Sequence, residues 1–169
     1  MGDLLRRREM VNNGIRYSLS GNSYLSWVRG QLVEVSGNRI HFYPNSLGWG
    51  QTLTANNLRY TWGQIKNGVL HFSCDYILTG LASNGDLAFS FGTYNTSNPD
   101  ASSTRVAYFT PIDIKENGEK TIDIMIPLSS IAYSSGTPSD SNYFGLRIYA
   151  HTGGGSNVYI ENVVFEIIL

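Results

Sequence analysis

From Ile15 to Leu169 the chain repeats one pattern: short runs in which apolar and small or polar residues alternate, separated by turn dipeptides. Leu70, Phe72, Cys74 and Tyr76 alternate with His71, Ser73 and Asp75. Leu87, Phe89 and Phe91 alternate with Ala88, Ser90 and Gly92, and Ile122, Ile124 and Ile126 with Asp123 and Met125. Phe144, Leu146, Ile148 and Ala150 alternate with Gly145, Arg147, Tyr149 and His151. A period of two places alternate side chains on opposite faces of a strand, so each run buries one face and shows the other. Asn-Gly follows at Asn13, Asn67, Asn84 and Asn117, and Ser-Gly at Ser20, Ser36 and Ser135. These pairs tolerate the positive φ that tight turns require. Helical stripes are missing from every window longer than about ten residues. Ala55 to Ile65 is the best candidate for a short helix, and Val158 to Leu169 reads as a nearly continuous, buried closing strand. Eight to ten strands, each with one apolar face, need a second sheet to cover them. The pattern predicts an all-β fold: a two-sheet antiparallel β-sandwich of jelly-roll type with a short N-terminal arm.

Composition narrows the function classes. Of 169 residues, 41% are hydrophobic and 15% charged, against roughly 25% charged in an ordinary domain. That is enough apolar material for one core, and no stretch approaches the roughly 20 apolar residues of a membrane helix. A secretion signal is not expected either, since Leu4-Leu5 runs directly into Arg6-Arg7-Arg8. The net charge is −1, which speaks against a coat for polyanions, and past the arm the arginines are scattered singly, so nucleic acid is not the expected partner. The single cysteine, Cys74, excludes a disulfide framework and reads as a small core hydrophobe.

Catalytic constellations are not apparent. His41, His71 and His151 have no ligand spacing, and no histidine is placed to activate Cys74. Asp113 and Asp123 each sit in an Ile-Asp-Ile triplet, so both are expected to face solvent instead of forming a glycosidase pair across a cleft. Gly153-Gly154-Gly155 lacks the Lys-Ser/Thr of a phosphate loop. An enzyme is not expected.

Aromatic residues carry more information, at 12% of the chain. The loop from Phe42 to Gln51 presents Tyr43 and Trp49 beside Asn45 and Gln51. An exposed ring offers a plate for the C–H face of a pyranose, while neighbouring amides bind its hydroxyls. Trp49 either does this or folds back as a lid over the end of the sandwich; both readings stay open. Arg147, Tyr149 and His151 share the side of their strand away from the core and form a second candidate patch. Trp27 and Trp62 read as residues at the edge of the core. The candidate glycan-binding set is therefore Tyr43, Trp49, Gln51, Arg147 and Tyr149.

Two resemblances add to this. Asn67-Gly68-Val69-Leu70-His71-Phe72-Ser73-Cys74-Asp75-Tyr76, with Phe144 to Ala150 and Val158-Tyr159-Ile160-Glu161-Asn162-Val163, resembles the jelly-roll carbohydrate-binding modules over roughly Arg39 to Leu169. In that family an acidic residue on the closing strand often serves a structural calcium ion. Glu161 stands there instead of Asp, without acidic neighbours, so no cofactor is expected, a structural calcium ion being the alternative. Met1 to Met10 looks like the opening of small bacteriophage structural proteins that carry a basic arm before a β module. The resemblance implies an arm over residues 1–17, with Leu4, Leu5, Arg6, Arg7 and Arg8 anchoring to other virion proteins, and a jelly-roll domain over 18–169. It further implies a homo-oligomer such as a trimer, made in bacterial cytoplasm and incorporated into the virion, whose sandwich binds surface polysaccharide. The alternative is a free-standing, non-catalytic carbohydrate-binding module or lectin.

Overall fold

The computed structural model describes residues 14–18, 26–29, 32–44, 51–81, 85–100, 102–151 and 156–169, the first two segments as backbone. Among the described residues eleven strands run in chain order: β1 (Gly14–Ser18), β2 (Ser26–Arg29), β3 (Val33–Ser36), β4 (Arg39–Phe42), β5 (Gln51–Asn56), β6 (Val69–Thr79), β7 (Asp86–Tyr94), β8 (Ala107–Ile114), β9 (Gly118–Pro127), β10 (Tyr143–His151) and β11 (Asn157–Ile168). A helical turn, α1 (Trp62–Ile65), lies within the segment expected to be helical, and a 3₁₀ turn covers Leu128–Ser130. All pairings are antiparallel, in two sheets. Sheet A has the order β3-β4-β11-β6-β9, with β1 alongside β11 beyond β4; sheet B has the order β2-β5-β10-β7-β8. From β4 to β7, and again from β8 to β11, the chain changes sheet at every connection, which is the winding of a jelly roll. The expected two-sheet sandwich is the observed fold. Gly14–Tyr17, which the sequence reading placed at the end of the arm, form β1 and pair with β11 through Gly14↔Ile168 to Ser18↔Val164. The anchoring residues Leu4, Leu5, Arg6, Arg7 and Arg8 lie outside the described residues, as does Trp49.

The alternation read from the sequence becomes the interface between the sheets. Leu70, Phe72, Cys74, Tyr76 and Leu78 point inward from β6; Leu87, Phe89 and Phe91 meet them from β7, with Leu146, Ile148 and Ala150 from β10. Phe72 packs on Phe89 and Phe91, with ring centroids 5.1 and 5.3 Å apart, and Phe91 reaches Phe165 and Phe109 at 5.8 and 5.6 Å. Burial of these rings supplies the dominant stabilising contribution. Cys74 belongs to this core as expected, and burial pushes its thiol up to about 12, so it is a poor nucleophile.

The closing strand differs in one respect from its expected reading. It is not buried throughout: Val158 and Ile160 face inward, then Val163, Phe165 and Ile167 do so one register later. A bulge between Glu161 and Val164 absorbs the shift, with Asn162 at φ 54°. Two half-strands of opposite phase gave the appearance of a continuous apolar run. The turns match their dipeptides at two positions that need a positive φ: Gly37 (φ 59°) joins β3 to β4, and Gly136 (φ 72°) follows the bridge Tyr108↔Ser135.

Sheet A's outer face carries a histidine with an acid on each side. His71 Nδ1 lies 3.0 Å from Glu166 Oε2 on β11, and Nε2 lies 2.9 Å from Asp123 Oδ1 on β9. Partial burial pulls the imidazole pKa down, but hydrogen bonds to Glu166 and Asp123 outweigh it and the net shift is upward from 6.5. A raised folded pKa means that the charged histidine stabilises the fold fully below its unfolded pKa, and that this contribution is lost as pH rises through the folded value. Melting temperature is therefore expected to fall as pH rises above 6.5, and His71→Gln should flatten that slope. An unchanged slope in the variant would show that other groups set the pH dependence.

Candidate functional site

Sheet B presents to solvent a groove whose floor comes from two small residues, Ala88 and Ser90. On β7 the outward positions are Ala88, Ser90 and Gly92, between the inward Leu87, Phe89 and Phe91. A side chain at Gly92 has no room: a Cβ there would come within 2.5 Å of the Ala107 carbonyl and 2.8 Å of Tyr108 Cβ. Larger groups on the neighbouring strands stand up as walls. Strand pairing sets Tyr149 between Thr52 and Ala88, with Asp113 beyond Ala88. One row along, Arg147 sits between Thr54 and Ser90, whose hydroxyl lies 2.6 Å from that of Thr110. His151 pairs with Asp86 at one end, and Arg105, from the segment leading into β8, closes the other. The cavity measures about 510 Å³. It crosses β5, β10, β7 and β8, three spacings of roughly 4.8 Å.

The charges in this groove are separated. Arg147 Nε donates to Thr54 Oγ1 at 3.2 Å, and Nη2 to the Ser103 carbonyl at 2.8 Å. The Arg105 guanidinium lies over the Tyr108 ring, 3.8 Å from its centroid, and its buried Nη1 meets no hydrogen-bond acceptor. Burial pulls the Arg105 pKa down from its usual value. Among the described residues neither arginine forms an ion pair with a carboxylate. Asp86 and Asp113 lie toward the opposite end. Asp86 is held above the usual carboxylate range by burial and then by the nearby Asp113 charge, and Asp113 pairs with Lys115 at 3.1 Å. Burial, and secondarily Asp86, raise the Tyr149 hydroxyl pKa. The groove thus offers strong donors at one end, acceptors at the other, and a half-buried ring between them.

A second depression, about 530 Å³, lies on the outer face of sheet A beside Asp75, Lys120, Thr121, Tyr159 and Glu161. Asp75, Thr121, Tyr159 and Glu161 are already engaged there. Glu161 pairs with Arg39, and Asp75 accepts from Thr121 Oγ1 and Asn162 Nδ2, which hold its pKa below the usual carboxylate range. Tyr159 stacks on His41 at 4.2 Å, and the Arg39 guanidinium lies 5.3 Å from its ring. A surface whose polar groups satisfy one another has less to offer a ligand than one whose donors lack partners.

The sequence-derived candidates separate accordingly. Arg147 and Tyr149 lie together in the groove of sheet B, with His151 at its end. Gln51 pairs with Ala150, in phase with the inward Leu53, and its Oε1 accepts from the Leu32 N–H at 3.3 Å, so it does not share their face. Tyr43 is 38% exposed but belongs to the other sheet's edge, where its hydroxyl donates to Glu34 and its ring contacts His41 at 3.9 Å. The Glu34 bond, followed by burial, raises the Tyr43 pKa. Trp62 is buried at the edge of the core against Tyr133 and Phe144. Asp113 and Asp123 face outward from different sheets, the first in the groove and the second beside His71. Thr52, Asp86, Ser90, Arg105 and Thr110 were not singled out from the sequence. The one available signal was the Ala88-Ser90-Gly92 run opposite three large apolar residues: small groups on an outward face mark a floor.

No protein-family model matches the chain, and no curated protein matches it. Among solved structures, a family 29 carbohydrate-binding module, a mutant complexed with cellulohexaose, superposes with a TM-score of 0.50 at 12% identity, covering 91% of this chain and 92% of that one. Another structure of a family 29 module gives a TM-score of 0.48 at 12% identity over 90% and 88%. The family 11 carbohydrate-binding module of a cellulosomal cellulase from Clostridium thermocellum gives 0.45 at 15% identity over 90% and 86%. At such identities the first of these establishes likeness of fold.

Proposed function

We propose that this chain is a non-catalytic carbohydrate-binding module whose ligand, a segment of polysaccharide, lies in the groove across β5, β10, β7 and β8. The observation that carries this reading is the groove itself: an open trough with a tyrosine beside two arginines that meet no carboxylate among the described residues, and with separated acceptors. Tyr149 offers a ring for the C–H face of a pyranose, Arg147 and Arg105 donate to ring or hydroxyl oxygens, and Asp86 and Asp113 accept from hydroxyls. The fold is one that supports glycan binding elsewhere, as in the family 29 module described with cellulohexaose.

The expectation of a bacteriophage virion component rested on the opening ten residues, which lie outside the described ones, and the similar folds belong to binding modules. The free-standing module is therefore the reading adopted, with anchoring through Leu4, Leu5 and Arg6–Arg8, oligomer formation and residence in a virion left to a direct assay of particle incorporation.

Affinity electrophoresis through gels containing a panel of plant, capsular and cell-wall polysaccharides tests the reading. Wild type is expected to be retarded by at least one, and Tyr149→Ala to weaken that retardation about tenfold, the loss of one stacking ring. Trp49→Ala run alongside reads whether the loop before β5 supplies a further plate. Passage of wild type through every gel at its control mobility would defeat the proposal.

A further inference from the structure

Resting on that reading, we propose that the groove selects acidic glycans, seating the carboxylate of a hexuronate residue against Arg105 and Arg147. Elsewhere four cationic side chains meet carboxylates of their own: Arg39 with Glu161, Lys66 with Asp140, Lys115 with Asp113, and His71 with Glu166 and Asp123. Among the described residues the two groove arginines have no such partner. Arg147 spends its donors on a hydroxyl and a carbonyl, and the buried Nη1 of Arg105 on nothing. A desolvated cation without a counter-charge is costly in a folded protein, and the cost is relieved when a ligand brings the anion. A guanidinium suits a carboxylate in particular, because its planar donors match two coplanar oxygens.

The two arginines are held near one another. Arg147 donates to Ser103, two residues before Arg105, and its guanidinium lies 5.9 Å from the ring of Tyr94. Neither belongs to a general basic coat, since the whole chain carries a net charge of −1. The opposite end of the groove sharpens the selection. Asp113 is already paired with Lys115, and Asp86 accepts a hydroxyl more readily than it tolerates a second carboxylate, so the acid is placed at the arginine end. A polymer in which uronate residues alternate with neutral sugars meets both conditions at once.

The test uses matched pairs that differ in charge alone. Hexasaccharides of alternating glucuronate and N-acetylglucosamine, and of homogalacturonate, are titrated into the full chain by calorimetry beside their carboxyl-reduced forms, at about 150 mM salt, where surface charges are screened. Tighter binding of an acidic form by tenfold or more, with that preference removed in both Arg147→Met and Arg105→Met, is the expected result. Equal affinity for acidic and reduced forms, or binding confined to neutral members of the polysaccharide panel, overturns the acidic selection and leaves the glycan module standing. An acid preference that survives both arginine variants also overturns it. Binding to no glycan of either kind defeats this inference together with the reading beneath it. The wild-type comparison needs no variant, so misfolding of either substitution cannot blur the outcome.

Discussion

Phe91→Ala is expected to cost about 3–5 kcal/mol, the range for removing a fully buried ring. Phe91 is wholly enclosed and touches Phe72 and Phe165 from sheet A and Phe109 from its own sheet, so it joins the two layers. The neighbouring aromatic rings are themselves packed and cannot collapse far into the space, which puts the cost toward the upper end. Against a total stability of about 5–15 kcal/mol this is a large fraction. For a chain of this size it corresponds to a melting temperature lower by roughly 10 °C, readable by calorimetry. Phe91→Leu fills most of the volume and should lose much less. Equal losses for both variants would mean that the ring's contacts, not the space, carry the energy.

The second large effect concerns backbone and reaches the groove. Gly136→Ala would place a Cβ 1.9 Å from the Val106 carbonyl oxygen, at a φ of 72°. A left-handed residue other than glycine costs about 1–3 kcal/mol even in open space. Here the overlap is with backbone, so Val106 has to move, and Val106 is the neighbour of Arg105. The variant is expected to lose stability beyond that range and to bind glycan more weakly, because the segment carrying a groove arginine is displaced. Gly37→Ala is the matched control. Its φ is 59°, but a Cβ meets nothing within 4 Å, so only the conformational cost applies. Chemical denaturation of both variants separates the two contributions; equal midpoints would show that the 134–136 turn moves aside freely.

How much of this was legible beforehand depends on the range over which each cause acts. Strand character is local. The inward set on β6 and β7 follows from alternation along a few residues, and those positions are buried, although on β7 the alternate positions are covered as well. A helical turn at Trp62–Ile65 is local in the same sense: the Gln64 side chain accepts from the Thr61 N–H at 2.9 Å, a four-residue device. The closing strand was harder, because a bulge changes phase without leaving a mark in composition; Asn162, tolerant of positive φ, was its single trace.

The candidate site was legible only by halves. That Arg147 and Tyr149 face away from the core is a property of one strand and could be read from it. That they form the wall of a groove depends on β7 lying beside β10, with Ala88 and Ser90 as its floor, and that neighbour relation joins segments more than fifty residues apart. Tyr43 and Gln51 show the converse: eight residues apart, they were read as one patch, yet β4 and β5 belong to different sheets. Asp113 and Asp123 part in the same way, at the crossing from β8 to β9. The sequence by itself determined the all-β character, the two-layer requirement and which face of each strand is apolar, because these follow from side-chain periodicity and the cost of exposing it. Tertiary structure alone decided which outward faces share a sheet, and therefore where two arginines stand without a counter-charge, because strand order is set by long-range pairing that no single run records.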